Sequence, residues 1–99
     1  MEKRTPHTRL HIVKMMVRAG LTAVTRSALT GAAQIGFGSR QEIFNVILML
    51  EPGDFYKSMT AFHDHTCWHD VYRTVYHGQQ IYMKFIVTEG VLVVSFKEQ

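Results

Sequence analysis

The sequence predicts an α+β fold, with three N-terminal helices packed on one face of a C-terminal, mainly antiparallel β-sheet. Apolar residues recur at helical spacing before Pro52-Gly53 and at every second position after it. Tight-turn signals, His77-Gly78-Gln79 and Glu89-Gly90, join the later segments as neighbours. The 99 residues supply one hydrophobic core but not two, so 1–99 is expected to form a single domain.

The first helix is expected from Thr8 to Ala19, with Leu10, Val13, Met16 and Val17 on one face. Gly20 suits its left-handed C-terminal stop, and Thr5-Pro6 would also permit an earlier start. The second helix spans about Thr25 to Gln34, capped by Thr25 and ended by Gly36 and Gly38. Ser39-Arg40-Gln41-Glu42 reads as a capping box opening the third, in which Ser39 and Glu42 satisfy orphan amides reciprocally. Ile43, Val46, Ile47 and Leu50 form its apolar stripe, and Pro52-Gly53 stops it. Four strands follow, Phe55–Phe62, Val71–Tyr76, Gln80–Thr88 and Val91–Lys97, with Asp64-His65-Thr66 as a turn between the first two. Alternation places Ile81, Met83, Phe85 and Val87 of the third strand inward, with Leu92, Val94 and Phe96 of the fourth. Tyr82, Lys84, Ser95 and Lys97 then point outward, away from the helices.

Apolar residues make up 46% and charged residues 19%, which excludes a chain too polar to fold. The net charge of +3 and pI of about 9.2 favour a polyanion or an acidic partner over a cationic one. The basic N-terminus has no apolar stretch behind it, so no secretory signal is expected. The longest apolar run, Ile43 to Leu50, is too short to span a bilayer, so no membrane partner is expected. Cys67 is alone and forms no intrachain disulfide; a cytoplasmic location is the expectation.

The second half interleaves cations and rings: Lys57, Arg73, Lys84 and Lys97 with Tyr72, Tyr76 and Tyr82. This pattern suits RNA, whose phosphates attract cations and whose unpaired bases stack on rings. A solvated outer sheet face with tyrosines as cross-strand partners accounts for the same residues. His63, His65, Cys67 and His69 alternate and would share a face in an uninterrupted strand. One straight strand cannot wrap a metal with four ligands, however, and a bend at Asp64-His65-Thr66 would break the face, so no metal is expected. His69 has the side chain best suited to proton transfer at neutral pH, or is a loop histidine without a role. No nucleophile–histidine–carboxylate spacing and no phosphate-binding glycine loop is present, because Gly36-Phe37-Gly38 does not follow a strand. His7, Arg9, His11 and Lys14, on or beside the first helix, form a solvated basic face or a phosphate or partner contact.

Several longer stretches resemble the MqsR toxin family. They are Glu2 to Leu10, Thr25 to Leu29, Asp54-Phe55-Tyr56-Lys57-Ser58-Met59-Thr60, Asp64-His65-Thr66, Trp68, Asp70-Val71-Tyr72-Arg73, Tyr82-Met83-Lys84 and Val94-Ser95-Phe96-Lys97-Glu98. The similarity runs the length of the chain and is weakest between Gly31 and Gln41. It implies a RelE-like architecture and the toxin of a type II toxin–antitoxin pair. Such a toxin is a ribosome-independent mRNA endoribonuclease that cleaves single-stranded RNA, preferentially next to GC-containing triplets. It further implies a cognate antitoxin with a zinc-binding N-terminal part and a helix-turn-helix part, so that the zinc belongs to the partner and this chain needs no cofactor. Carried over residue by residue, Lys57 matches the lysine of Phe-Tyr-Lys-Ser, Tyr82 the tyrosine of Tyr-x-Lys and Lys97 the lysine of Ser-Phe-Lys. His69 departs from the family pattern, which has glutamine after the tryptophan.

The expected catalytic set is therefore Lys57, His69, Tyr82 and Lys97, with Tyr56, Arg73 and Lys84 binding RNA. Metal-independent cleavage would use the 2′-hydroxyl as nucleophile. His69 is the first candidate for proton transfer, with a lysine as the other if neighbouring cations depress its pKa. A non-catalytic RNA-binding module would use the same basic face.

Overall fold

The computed structural model describes residues 1–99. In chain order these form β1 (Glu2–Lys3), α1 (Leu10–Arg18), β2 (Thr22–Val24), α2 (Arg26–Gln34), α3 (Arg40–Met49), a single 3₁₀ turn (Pro52–Asp54), β3 (Phe55–Ala61), β4 (Asp64–Tyr76), β5 (Gln79–Val87) and β6 (Val91–Glu98). All six strands join one sheet in the order β1-β3-β4-β5-β6-β2. Every pairing is antiparallel except that of β2 with β6. The fold is α+β, and no helix is long and apolar enough to cross a membrane.

The helices end where the sequence stops them. Gly20, at φ 77°, sits just past α1, where the Gly20 and Leu21 amides donate to the carbonyls of Val17 and Met16. The Thr25 hydroxyl caps α2 by accepting from the Ala28 amide. Ser39 caps α3 through the Glu42 amide, but the reciprocal bond differs: the Glu42 carboxylate accepts from the Gly38 amide. The α3 stripe is fully buried, as are Val13 on α1 and Ala28 on α2. Opposite them lie Tyr72, Ile81, Met83, Phe85, Val91, Val93 and Phe96 of the sheet. Burying each large apolar side chain contributes about 1.5–3 kcal/mol, which is what drives the helices onto this face.

Four expectations are corrected. The N-terminal half is not purely helical, because Glu2–Lys3 and Thr22–Val24 are edge strands. Both are too short to show a period, and they form only because β3 and β6 offer unpaired edges. Strand β4 starts at Asp64 rather than Val71, and the reversal lies at Phe62-His63. The register jumps from Thr60↔Trp68 to Ala61↔Asp64, so His65, Thr66 and Cys67 bulge out, with the Asp64 carboxylate accepting from both the amide and the hydroxyl of Thr66. On β6, Val91, Val93 and Phe96 point inward, not Leu92 and Val94. Lys84 pairs with Ser95 but Phe85 pairs with Val93, so Val94 is an extra residue that reverses the alternation before it.

Two contacts tie the halves together. The α2 helix lies so close on β6 that a Cβ at Gly31 would stand 2.2 Å from the Phe96 carbonyl oxygen. At the other end of the sheet, Asp70 is only 2% exposed, and its carboxylate accepts from the backbone amides of His7 (2.9 Å) and Thr8 (3.1 Å).

Gly31→Ala should destabilise by about 1–3 kcal/mol in chemical denaturation, because the methyl must displace backbone. Helix propensity alone predicts the opposite sign, so a neutral or stabilised variant would refute the close-packing argument. Asp70→Ala should cost about 2–3 kcal/mol, since it orphans two amides that a charged acceptor now satisfies. Amide hydrogen exchange at His7 and Thr8 should then accelerate ahead of the sheet, and unchanged protection there would contradict this anchor.

Candidate functional site

The sheet face turned away from the helices carries the polar residues. Directly opposed residues share a face, so the strand register defines it in rows. One row runs Lys57–Val71–Lys84–Ser95 across β3, β4, β5 and β6. The next runs Met59–His69–Ile86–Leu92. A third runs Arg73–Tyr82–Lys97. All four expected catalytic residues, Lys57, His69, Tyr82 and Lys97, therefore stand on one face with Arg73 and Lys84. Adjacent strands lie about 4.8 Å apart, which puts Lys57 and Lys84 about 10 Å from one another at the backbone.

Tyr56 joins them through an irregularity. The register shifts between Phe55 and Lys57, so Tyr56 is the unpaired residue of a bulge. Its ring collects cations: the Arg73 guanidinium lies 3.7 Å from the centroid, Lys57 Nζ 5.2 Å and the Arg4 guanidinium 5.8 Å. Lys97 Nζ sits 5.1 Å from the Tyr82 ring. Val71 makes the floor of the face: it is fully buried yet outside the main core cluster, covered on its own face, where Lys57 and Lys84 flank it.

Charge at the site is less uniform than the residue types suggest. Lys57 Nζ donates to Glu2 Oε1 at 2.7 Å, the only ion pair in the chain. This hydrogen bond and the charge of Glu2 raise the Lys57 pKa above its usual value, and the same bond with the charge of Lys57 lowers that of Glu2. The expectation that neighbouring cations depress a lysine pKa here is thus corrected at Lys57: β1 lays a carboxylate against it, and Lys57 stays protonated through neutral pH. His69 moves the other way. Partial burial, between Met59 and Ile86, and then the charge of Lys84 lower its pKa below the ordinary histidine value. At neutral pH His69 is therefore an uncharged imidazole able to accept a proton, beside lysines able to hold an anion.

The alternating His63, His65, Cys67 and His69 do not come together. His63 lies in the reversal and His65 in the bulge, and no three metal-binding side chains cluster anywhere in the chain. The sequence reading missed Glu2, whose two-residue strand has no signature of its own. It also missed Arg4, which donates to the Tyr56 carbonyl at 3.4 Å. The signal for both lies only in the charge-rich start Glu2-Lys3-Arg4.

The family model described as "Motility quorum-sensing regulator, toxin of MqsA" matches residues 5–98. The mRNA interferase toxin MqsR of Escherichia coli (strain K12) is 52% identical over 99 residues, which cover the whole of both chains.

The His69 environment makes a titration prediction. Lys84→Ala should raise the His69 pKa towards the ordinary value, because it removes a repulsive charge but leaves the burial. Following the imidazole proton resonances against pH reads this directly; a downward or null shift would mean Lys84 does not act on His69. The sign for stability follows. A depressed folded-state pKa means the unfolded chain binds the proton more tightly, so His69 costs stability as pH falls below its unfolded value, and Lys84→Ala should lessen that acid sensitivity.

Proposed function

The chain belongs to the MqsR toxin family, and from that premise we propose that it is the toxin of a toxin–antitoxin pair, an endoribonuclease acting on mRNA. It acts as a single domain over 1–99, with the RelE-like architecture that the family resemblance implies. The observation that carries this reading is the gathering of Lys57, His69, Tyr82 and Lys97 on one sheet face that no helix covers. Single-stranded substrate fits that face, because Tyr56 and Tyr82 offer ring faces to unpaired bases while Arg73 and Lys84 offer charge to phosphates. Cleavage independent of the ribosome, next to GC-containing triplets, is the specificity that goes with the family. The same reading gives a cognate antitoxin with zinc-binding and helix-turn-helix parts, and a cytoplasmic setting in which mRNA and a reduced Cys67 coexist.

The chemistry is metal-independent transesterification. His69, neutral at pH 7, takes the proton from a 2′-hydroxyl. The 2′-oxygen bonds to phosphorus and the bond to the 5′-oxygen breaks, leaving a 2′,3′-cyclic phosphate and, once protonated, a 5′-hydroxyl. Lys57, a cation at neutral pH, and Lys97 stabilise the dianionic phosphorane between these states. Tyr82 orients the phosphate or stacks on a neighbouring base. An RNA-binding module without catalysis would place the same residues on the same face, and scission of a defined strand separates the two.

Lys57→Ala and Lys97→Ala should each lower cleavage of a defined single-stranded RNA by about 10²–10³-fold with an unchanged circular dichroism spectrum. Lys84→Ala should mainly weaken binding and flatten its salt dependence. Chelator should leave the rate intact; loss of cutting would rule out the metal-free scheme. The wild-type rate should rise with pH through the depressed His69 pKa and then level, and His69→Gln should lose about 10²–10⁴-fold together with that limb. If the limb persists in His69→Gln, another group is the base.

A further inference from the structure

Beside the N-terminal segment lies a cleft of about 570 Å³ that the scheme above does not use. Arg4, Arg9, His11 and Lys14 line it, and no acidic side chain does. Neither the two arginines nor the lysine has a carboxylate partner, since the chain's only ion pair is Lys57 with Glu2. Lys14 is fixed by donating to the Leu50 carbonyl at 2.5 Å, so part of the charge is preorganised. The floor is aromatic, made by Phe55 and Tyr72, whose rings pack edge to face at 5.4 Å. Tyr72 is fully buried, and its hydroxyl has no hydrogen-bond partner. A buried hydroxyl left unpaired costs about 1–3 kcal/mol, so it marks a place where an acceptor is missing.

The cleft is continuous with the outer face. Phe55 and Tyr56 are consecutive, and the bulge between Phe55 and Lys57 sends the first ring inward to the cleft and the second to the face. Arg4 lines the cleft and reaches the Tyr56 carbonyl and ring. Strand β1 pairs with β3 only at Ser58 and Met59, so the β3 edge beside Phe55 and Tyr56 has no strand across it.

We infer that this cleft is a second RNA subsite, taking one unpaired nucleotide of a strand that leaves the outer face past Tyr56. The inference rests on the RNA reading above. The phosphate lies among Arg4, Arg9 and Lys14, and the base lies against the partly exposed Phe55, with a small opening of the floor bringing its acceptor to the buried Tyr72 hydroxyl. A volume of this size holds a nucleotide, and an uncompensated cationic wall over an aromatic floor matches its two chemically distinct halves. Continuity with the site selects RNA over an acidic peptide.

The test measures binding of two non-cleavable single strands, a three-nucleotide and a twelve-nucleotide 2′-O-methyl RNA of mixed sequence, to the full chain across a salt series. Arg9 is exposed, so Arg9→Ala leaves the core untouched. It should weaken the twelve-mer roughly three- to tenfold, shrink its advantage over the three-mer, and lower the salt slope by about one unit. Tyr72→Phe should also weaken the twelve-mer while melting no lower than wild type, because it deletes an unpaired buried group. Arg73→Ala, on the outer face, serves as the comparison. If Arg73→Ala weakens the long strand and neither Arg9→Ala nor Tyr72→Phe does, the cleft is not an RNA subsite and the outer-face reading survives. If none of the three changes RNA affinity, both readings fall. If Arg9→Ala instead weakens only a polyglutamate peptide, the occupant is an acidic peptide and the RNA subsite is overturned.

Discussion

The carboxylate of Asp70 is the interaction on which the site depends. It is buried in the middle of β4, where an unpaired charge would be costly, and two backbone amides at His7 and Thr8 satisfy it. That fixes the N-terminal segment across one end of the sheet. Beyond the anchor, His7 stacks on Trp68 with ring centroids 5.6 Å apart, and Lys3 lies 4.2 Å from the same indole. Residues 2 and 3 are thereby delivered to the open edge of β3, and Glu2 to Lys57. One inward carboxylate thus helps to place Glu2 against a lysine on the opposite face. Its two neighbours in β4, His69 and Val71, belong to that face.

Departures from regular alternation matter as much as the alternation itself. A strand with a strict period of two would turn Tyr56 inward behind Lys57 and would put Leu92 and Val94 in the core. The bulge at Tyr56 brings an aromatic ring among Arg4, Lys57 and Arg73. The bulge at Val94 lets β6 bury Val91 and Val93 at one end and Phe96 at the other, while Lys97 still faces outward beside Tyr82. In both places an extra residue re-aims side chains without breaking the sheet.

This explains what was legible in the sequence. The α3 stripe, the Gly20 stop and the inward run Ile81, Met83, Phe85 follow from local periodicity and turn chemistry, and they appear where expected. Tyr82, Lys84 and Lys97 were legible as outward residues because they lie on the regular side of the β6 bulge. Lys57 and Tyr56 entered through family resemblance, since nothing local shows where a bulge will fall. The role of Glu2 was not legible beyond the charge-rich start in which it lies. Its role depends on contacts 55 residues away in sequence, and a two-residue strand has no pattern to read. The inward error at Leu92 and Val94 has the same origin: burial decides which residue is extruded, and burial is a tertiary property.

The electrostatics of the face then divide labour in a way that residue types alone do not. By residue type alone, three lysines and a histidine clustered together are all candidates to shed a proton. The surroundings separate them. Lys57 gains a carboxylate and is held cationic, whereas His69 gains apolar neighbours and a lysine and is held neutral. One group can accept a proton at neutral pH and the other carries positive charge there, so the two are not interchangeable. A glutamine at position 69 could still form hydrogen bonds but would lose the acceptor with a tunable pKa. If the proposed scheme holds, a chain with glutamine there needs another base, and with Lys57 tied to Glu2 the other titratable groups on this face include Tyr82, Lys84 and Lys97. Under the proposed scheme, the departure from the family pattern at His69 lies where it would change which atom moves the proton.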